Sequence, residues 1–341
     1  MKKILMIGTG GTIASRQTEG GLAPGLTTEE LLSFIPQAAE ICRIETMQLC
    51  SIDSTNMTPG IWLEIAGAVE AHYTEYDGFV ICHGTDTLAY TSAALSYLIQ
   101  DSAKPVVITG AQRPIDKDIT DAKTNLLDSF LYAADSDSTG VNIVFDGKVI
   151  AGTRARKMRA KSYNAFSSIN FPSPAVIQDG KVIRYFKEEK PEGPVRFYHK
   201  MSDSICVLKL IPGLKPELLA YLFENYRCIV IESFGVGGIP EGIQQEFYRQ
   251  MKEWHKKGKF VVMATQVVNE GSNMAVYEVG QKVKKDFDLI EAYDMTLEAT
   301  VTKLMWLMAR PGIGLEEIRS SFYRTINHDI LFTREWKEDA K

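Results

Sequence analysis

Thr12 closes the run Gly8-Thr9-Gly10-Gly11-Thr12, which follows the short apolar stretch Ile4–Ile7. A second hydroxyl, Thr85, lies in His83-Gly84-Thr85-Asp86-Thr87, after the apolar stretch Phe79–Cys82. A third segment, Gly152-Thr153-Arg154-Ala155-Arg156-Lys157-Met158, is basic. Hydroxyls, a carboxylate and a lysine are the parts of a catalyst that attacks through oxygen. A threonine hydroxyl is a poor nucleophile until a base stands beside it, and a lysine can serve if burial and neighbouring cations lower its pKa. Arg154 and Arg156 would help in that direction if they face inward. The glycines of the first run permit close backbone approach and leave N–H groups free to face an oxyanion. Each segment also has a plain structural reading: a strand-to-helix turn with a capping threonine, Asp86 as a helix cap, a solvated basic loop. Two Gly-Thr turns at the carboxyl ends of two strands are stronger than either alone, because open α/β sheets bind ligands along that edge.

Other chemistries lack their residues. A dinucleotide fingerprint would need glycine at Ile13, and no Gly-Lys-Ser/Thr of a phosphate-binding loop occurs anywhere in the chain. The five histidines, His72, His83, His199, His255 and His328, form no close ligand pair, so neither metal nor cofactor is expected, and His83 reads as a structural part of its turn. The net charge of −5 leaves no general attraction for nucleic acid. No apolar run approaches the ~18 residues of a membrane span. The run Ile4–Ile7 is too short for a signal segment of about seven to fifteen apolar residues, so the expected location is the cytoplasm. Cys42, Cys50, Cys82, Cys206 and Cys228 are odd in number and form no C-x-x-C pair, which suits reduced core thiols.

Something must hold these turns in place, and the chain supplies alternating strands and helices. Strands are expected at Ile4–Ile7, Phe79–Cys82, Val106–Thr109 and Asn142–Phe145. Helices are expected from Thr27, where Glu30 completes a capping box, from Thr58-Pro59 to about Tyr73, over Asp86–Gln100 and over Asp121–Ala134. Four or more such strands imply an α/β fold, with a mostly parallel sheet flanked by helices in a larger N-terminal domain over 1–185. The charged, proline-containing stretch Lys187–Pro194 marks a linker over 186–203. A smaller parallel α/β domain over 204–341 follows, with strands at Ser204–Lys209, Cys228–Ile231 and Phe260–Ala264. Its helices are expected at Pro216–Glu224, Pro240–His255, Thr296–Met308 and Leu315–Tyr323. Leu304, Met305, Trp306 and Leu307 suit a buried helix.

The three turns, in this order, closely resemble those of the bacterial-type L-asparaginases. The resemblance runs over nearly the whole chain, through Asp53-Ser54-Thr55-Asn56-Met57, Thr109-Gly110-Ala111-Gln112, Asp121–Leu127, Ser233-Phe234-Gly235-Val236-Gly237 and Thr265-Gln266. Ala165-Phe166-Ser167-Ser168-Ile169-Asn170 is similar to the type I, cytoplasmic branch. The resemblance implies an amidohydrolase that converts L-asparagine to L-aspartate and ammonia, with Thr12 as nucleophile and Thr85, Asp86 and Lys157 supporting the proton transfers. It implies backbone N–H groups of Gly11 and Thr85 at the oxyanion, Ser54 at the substrate α-carboxylate and Asp86 at its α-ammonium. Asp53, Thr55 and Gly84 join the substrate site, residues 13–25 form a lid, and the protein is a homo-oligomer, a dimer or possibly a tetramer. Leu22 stands where many relatives of that kind carry a lid tyrosine; Glu232 and Val267 replace an arginine and a cysteine of some type I allosteric sites. Three other functions share the framework: a glutaminase-asparaginase of broader specificity, an amidotransferase-type amidase subunit acting on charged tRNA, and a non-catalytic amino-acid sensor.

Overall fold

The computed structural model describes residues 1–187, 189–276, 281, 284, 286–287 and 289–331, with the side chains of residues 22, 24 and 255 outside the description. The chain divides into two compact units. The first comprises Met1–His199 with Ile326–His328; the second comprises Lys200–Thr325 and Asp329 onward.

The first unit is built on an eight-stranded sheet. Its order is Lys181–Arg184, Ala175–Gln178, Lys148–Ala151, Gly140–Phe145, Pro105–Thr109, Gly78–Cys82, Lys3–Gly10, Arg43–Ile52. The last five run parallel, and the first three extend the sheet antiparallel. Strand side chains alternate between faces. Ile4, Met6, Val80, Cys82, Val107 and Val144 therefore share one face, packed against Ile13, Leu31, Leu126 and Phe130. Leu5, Ile7, Phe79, Ile81, Val106 and Ile108 point the other way and are equally buried. Both faces are covered, which is why these strands read as continuous apolar runs.

The helix starts follow their capping residues. Thr27 accepts the Glu30 N–H at 3.2 Å while Glu30 accepts the Thr27 N–H at 2.7 Å, and helix Thr28–Ser33 begins there. Thr58 accepts the Ile61 N–H ahead of Pro59–His72. The strand Arg43–Ile52 has no counterpart in the sequence reading. It is the sheet edge, so both its faces are partly exposed and its apolar residues follow no clean period of two. The first unit also runs past the domain end expected at 185, because Arg196–Phe197 pairs antiparallel with Ile99–Gln100.

The second unit holds a four-stranded parallel sheet: Ile205–Lys209, Cys228–Ser233, Phe260–Thr265 and Ile290–Glu291. Helices Glu217–Asn225 and Glu241–His255 pack with it through Leu219, Phe223, Phe247 and Met251. Helix Leu297–Met308 is buried on every side, including Leu304, Met305, Trp306 and Leu307. Residues 332–341 of the expected C-terminal domain lie outside the described residues. Among the described residues no helix is long and apolar enough to cross a membrane. The five cysteines are free thiols; Cys42, Cys82 and Cys228 are buried, Cys50 and Cys206 half-buried.

Candidate active site

All the site residues inferred from the sequence fall in the first unit, where the strands Lys3–Gly10 and Gly78–Cys82 end side by side. The buried Thr9 hydroxyl donates to the Cys82 carbonyl at 2.9 Å and ties the two ends together. Beyond them the turns touch. A Cβ on Gly11 would stand 2.4 Å from both Cα and N of Gly84, and φ at Gly11 is +81°. A Cβ on Gly84 would stand 2.6 Å from Ser54 Oγ. Glycine is thus required at both positions by close approach. Their contact brings Thr12, Thr85 and the buried Ser54 around one point of the sheet edge. Thr12 opens a single 3-10 turn, Thr12–Ala14, is partly exposed, and its hydroxyl makes no hydrogen bond among the described residues.

The short strand Ala155–Lys157 pairs with Phe166–Ser168 and delivers Lys157 to Thr85. Lys157 Nζ donates to Thr85 Oγ1 at 2.8 Å and to Asp86 Oδ1 at 2.7 Å. The lysine side chain is 17% exposed and the carboxylate 59%, so the pair has one protected and one open end. Asp86 is therefore not the cap of the following helix. Thr87 holds the N-cap position of Leu88–Leu98, and its hydroxyl donates to the Ser54 carbonyl at 2.8 Å instead. Asp53 caps the 3-10 turn Ser54–Asn56, accepting both the N–H and the hydroxyl of Thr55 at 2.8 Å.

Two expectations are corrected. The Gly11 N–H cannot serve the oxyanion, because it donates to the Ile52 carbonyl at 2.9 Å. Gly11 acts at the site through its backbone shape, and its carbonyl accepts the Ser15 hydroxyl at 2.9 Å. The arginines do not supply cations to Lys157. Arg154 is fully buried and donates to the carbonyls of His328 and Ile169, and Arg156 neighbours Lys157 along one strand and so faces the opposite side.

Two supporting residues carried no role in the sequence reading. The Gln112 side chain accepts the Thr85 hydroxyl at 3.1 Å. The buried Asp121 accepts the N–H groups of Gln112 and Arg113, closing the loop between them. Their place in the resemblance was visible; a glutamine or aspartate in a turn has too many uses for its partner to be read from type alone. Among the described residues no group of three or more His, Cys, Asp or Glu side chains could hold a metal ion.

His83 has a structural role that can be derived atom by atom. Its Nδ1 lies 2.7 Å from the Gly84 carbonyl, an acceptor only, so Nδ1 carries the proton. Nε2 then accepts from Thr91 Oγ1 at 2.9 Å, and that hydroxyl accepts from the Trp62 indole N–H at 2.9 Å. Burial pushes the imidazole down to about 4. The unfolded chain therefore binds a proton near pH 6.5 that the fold refuses until about pH 4. Stability is present in full above pH 6.5 and falls as pH falls through this window. The loss reaches about 3 kcal/mol below pH 4. Denaturant melts at pH 7 and pH 4 check this: His83→Asn should be weaker at pH 7 yet lose less on acidification.

The sequence matches two family profiles, "Asparaginase, N-terminal" over residues 3–190 and "Glutaminase/Asparaginase C-terminal domain" over residues 204–322. An L-asparaginase of Thermococcus kodakarensis is 38% identical over 329 residues, covering 96% of this chain and 99% of that protein. The structure of the thermostable L-asparaginase from the same organism superposes with a TM-score of 0.88, covering 97% of this chain and all of the other. L-asparaginase I of Vibrio cholerae superposes with a TM-score of 0.87 at 30% identity, covering 97% and 99%. A glutamyl-tRNA(Gln) amidotransferase component of Pyrococcus furiosus is 36% identical over 319 residues, covering 89% of this chain but 72% of that protein. With both profiles matched in order, and with type I enzymes among its structural likenesses, the chain belongs to the asparaginase family.

Proposed function

We propose that the chain hydrolyses the side-chain amide of L-asparagine to L-aspartate and ammonia, with Thr12 as the nucleophile. The observation that carries this reading is the contact of Lys157 Nζ with both Thr85 Oγ1 and Asp86 Oδ1, beside the Gly11–Gly84 approach that sets Thr12 at the same edge. Thr12 Oγ attacks the amide carbon and its proton ends on the departing amine, while the Thr85–Lys157 pair supports the attack and the proton transfer by hydrogen bonding and charge. The acyl-threonine ester is then hydrolysed by water over the same groups. The Thr85 N–H stabilises the oxyanion. Ser54 takes the α-carboxylate, supported by the Asp53–Thr55 turn. Asp86 takes the α-ammonium: Lys157 engages one carboxylate oxygen and the exposed second oxygen remains for the substrate. The hairpin Ser15–Thr18/Gly21–Pro24 is the lid that excludes water, and Leu22 sits opposite Gln17 in it. The working form is a homo-oligomer, a dimer in the first instance, located in the cytoplasm.

The match spans 99% of the asparaginase relative but 72% of the tRNA-linked amidotransferase relative. The test is ammonia release by the purified chain alone, with L-asparagine and L-glutamine at equal concentrations. Release from L-asparagine at a rate at least about tenfold above L-glutamine supports the proposal, since one methylene is worth roughly 10–200-fold. Equal rates would make it a glutaminase-asparaginase; no release from either, with binding retained, would favour the sensor or the partner-dependent amidase.

A further inference from the structure

We propose that Gln112 is a positioning residue that sets the direction of the Thr85 hydroxyl proton; the inference rests on the reading of Thr85 as a support of the attack and the proton transfer. Gln112 Nε2 lies 3.1 Å from the Ser162 carbonyl and 3.4 Å from the Arg159 carbonyl. A carbonyl oxygen only accepts, so the NH2 end must point there; the flipped amide would set its oxygen against two others. Oε1 is thereby fixed on the other side, 3.1 Å from Thr85 Oγ1, and the threonine must donate to it. With its proton committed to Gln112, Thr85 presents a lone pair to Lys157 at 2.8 Å. The lysine is then the donor in the resting site, and it donates to Thr85 and Asp86 together.

The glutamine is itself held. Its N–H donates to Asp121 Oδ2 at 2.8 Å, and Asp121 is 7% exposed. Asn125 Nδ2 bonds the Gly110 carbonyl at 2.9 Å, fixing the residue pair just before Gln112 in the chain. One amide thus joins the Thr85 turn to the loop 159–162, which follows Lys157 directly. Gln112 reaches no reacting atom; it acts through Thr85, by choosing which of the oxygen's three directions carries hydrogen.

Two substitutions and one control test this in the whole protein with L-asparagine. Gln112→Met removes the acceptor while keeping length. It should lower kcat by about 10–100-fold, the effect of losing one part-buried hydrogen bond, with KM changed less than about threefold. Gln112→Glu keeps an acceptor for Thr85, but its second oxygen meets the two carbonyls unless it is protonated. It should be most active at low pH and lose activity as pH rises through that carboxyl's titration, a slope the unmodified protein lacks. Thr85→Val is the control. If Thr85→Val retains turnover, the reading of Thr85 fails. If Thr85→Val is inactive while Gln112→Met keeps kcat within twofold, or shifts KM alone, the Gln112 proposal is overturned. Should Gln112→Met fail to fold, Gln112→Glu decides: a pH profile parallel to that of the unmodified protein contradicts the proposal.

Discussion

Replacing Lys157 by Met should lower kcat by about a thousandfold or more, while the folded content and melting temperature stay close to those of the unmodified protein. Lys157 is the one cation in contact with the Thr85 hydroxyl among the described residues, and the same ammonium engages Asp86. Removing it leaves a hydroxyl whose other partner among the described residues is Gln112, which accepts and cannot donate through the same oxygen. The fold has little to lose, because Met has nearly the same stem length and strand Ala155–Lys157 pairs through its backbone. Lys157→Arg separates charge from proton transfer. Guanidinium keeps the charge but does not release a proton in the working range. Steady-state kinetics should find Arg nearly as poor as Met; recovery with Arg would reduce the lysine to an electrostatic support.

The second large effect is on stability and belongs to the second unit. Lys303 and Asp329 are both completely buried and meet at 2.6 Å, and Lys303 Nζ also donates to the Arg324 carbonyl at 2.7 Å. Burial lowers the lysine's pKa, and the adjacent Asp329 opposes that shift. Lys303→Met would remove this cation from beside a fully buried carboxylate, a change that costs roughly 3–5 kcal/mol. Denaturant unfolding should show the midpoint falling accordingly. The double variant Lys303→Met/Asp329→Leu should recover most of the loss, since the two opposite charges then leave together. A single variant as stable as the double would mean the pair contributes nothing specific.

The parts of the site that were legible share one property: their function follows from residue type and local spacing. Gly11 reads as a close-approach glycine, and the structure shows that its Cβ would strike the backbone of Gly84. Thr85, Asp86 and Lys157 read as a hydroxyl, a carboxylate and a base, and the structure joins them. The core strands were legible because two buried faces leave nothing but apolar residues. What failed depended on long-range pairing. The resemblance places the Gly11 N–H at the oxyanion, and the edge strand Arg43–Ile52, which has no clear sequence signal, takes that N–H instead. Its register jumps between Gly8 and Gly10, bringing Ile52 opposite Gly10 and its carbonyl to the Gly11 N–H. Asp86 was offered a capping role by its position, and only the arrival of Lys157 from 71 residues away settles its partner. Gln112 and Asp121 were visible as members of a motif, but their direction was not. An amide's orientation is fixed by the carbonyls around it, and those of Arg159 and Ser162 come from a distant loop.

The central claim is that Thr12 attacks the amide of L-asparagine. The most direct measurement compares ammonia and aspartate release by the unmodified protein and by Thr12→Ala, with L-asparagine binding followed in parallel by calorimetry. The unmodified protein should release the two products in equal amounts. Thr12→Ala should show no turnover above background and an affinity for L-asparagine within about tenfold, since Ser54 and Asp86 hold the substrate's charged groups. Near-normal turnover by Thr12→Ala would contradict the claim and move the nucleophile elsewhere.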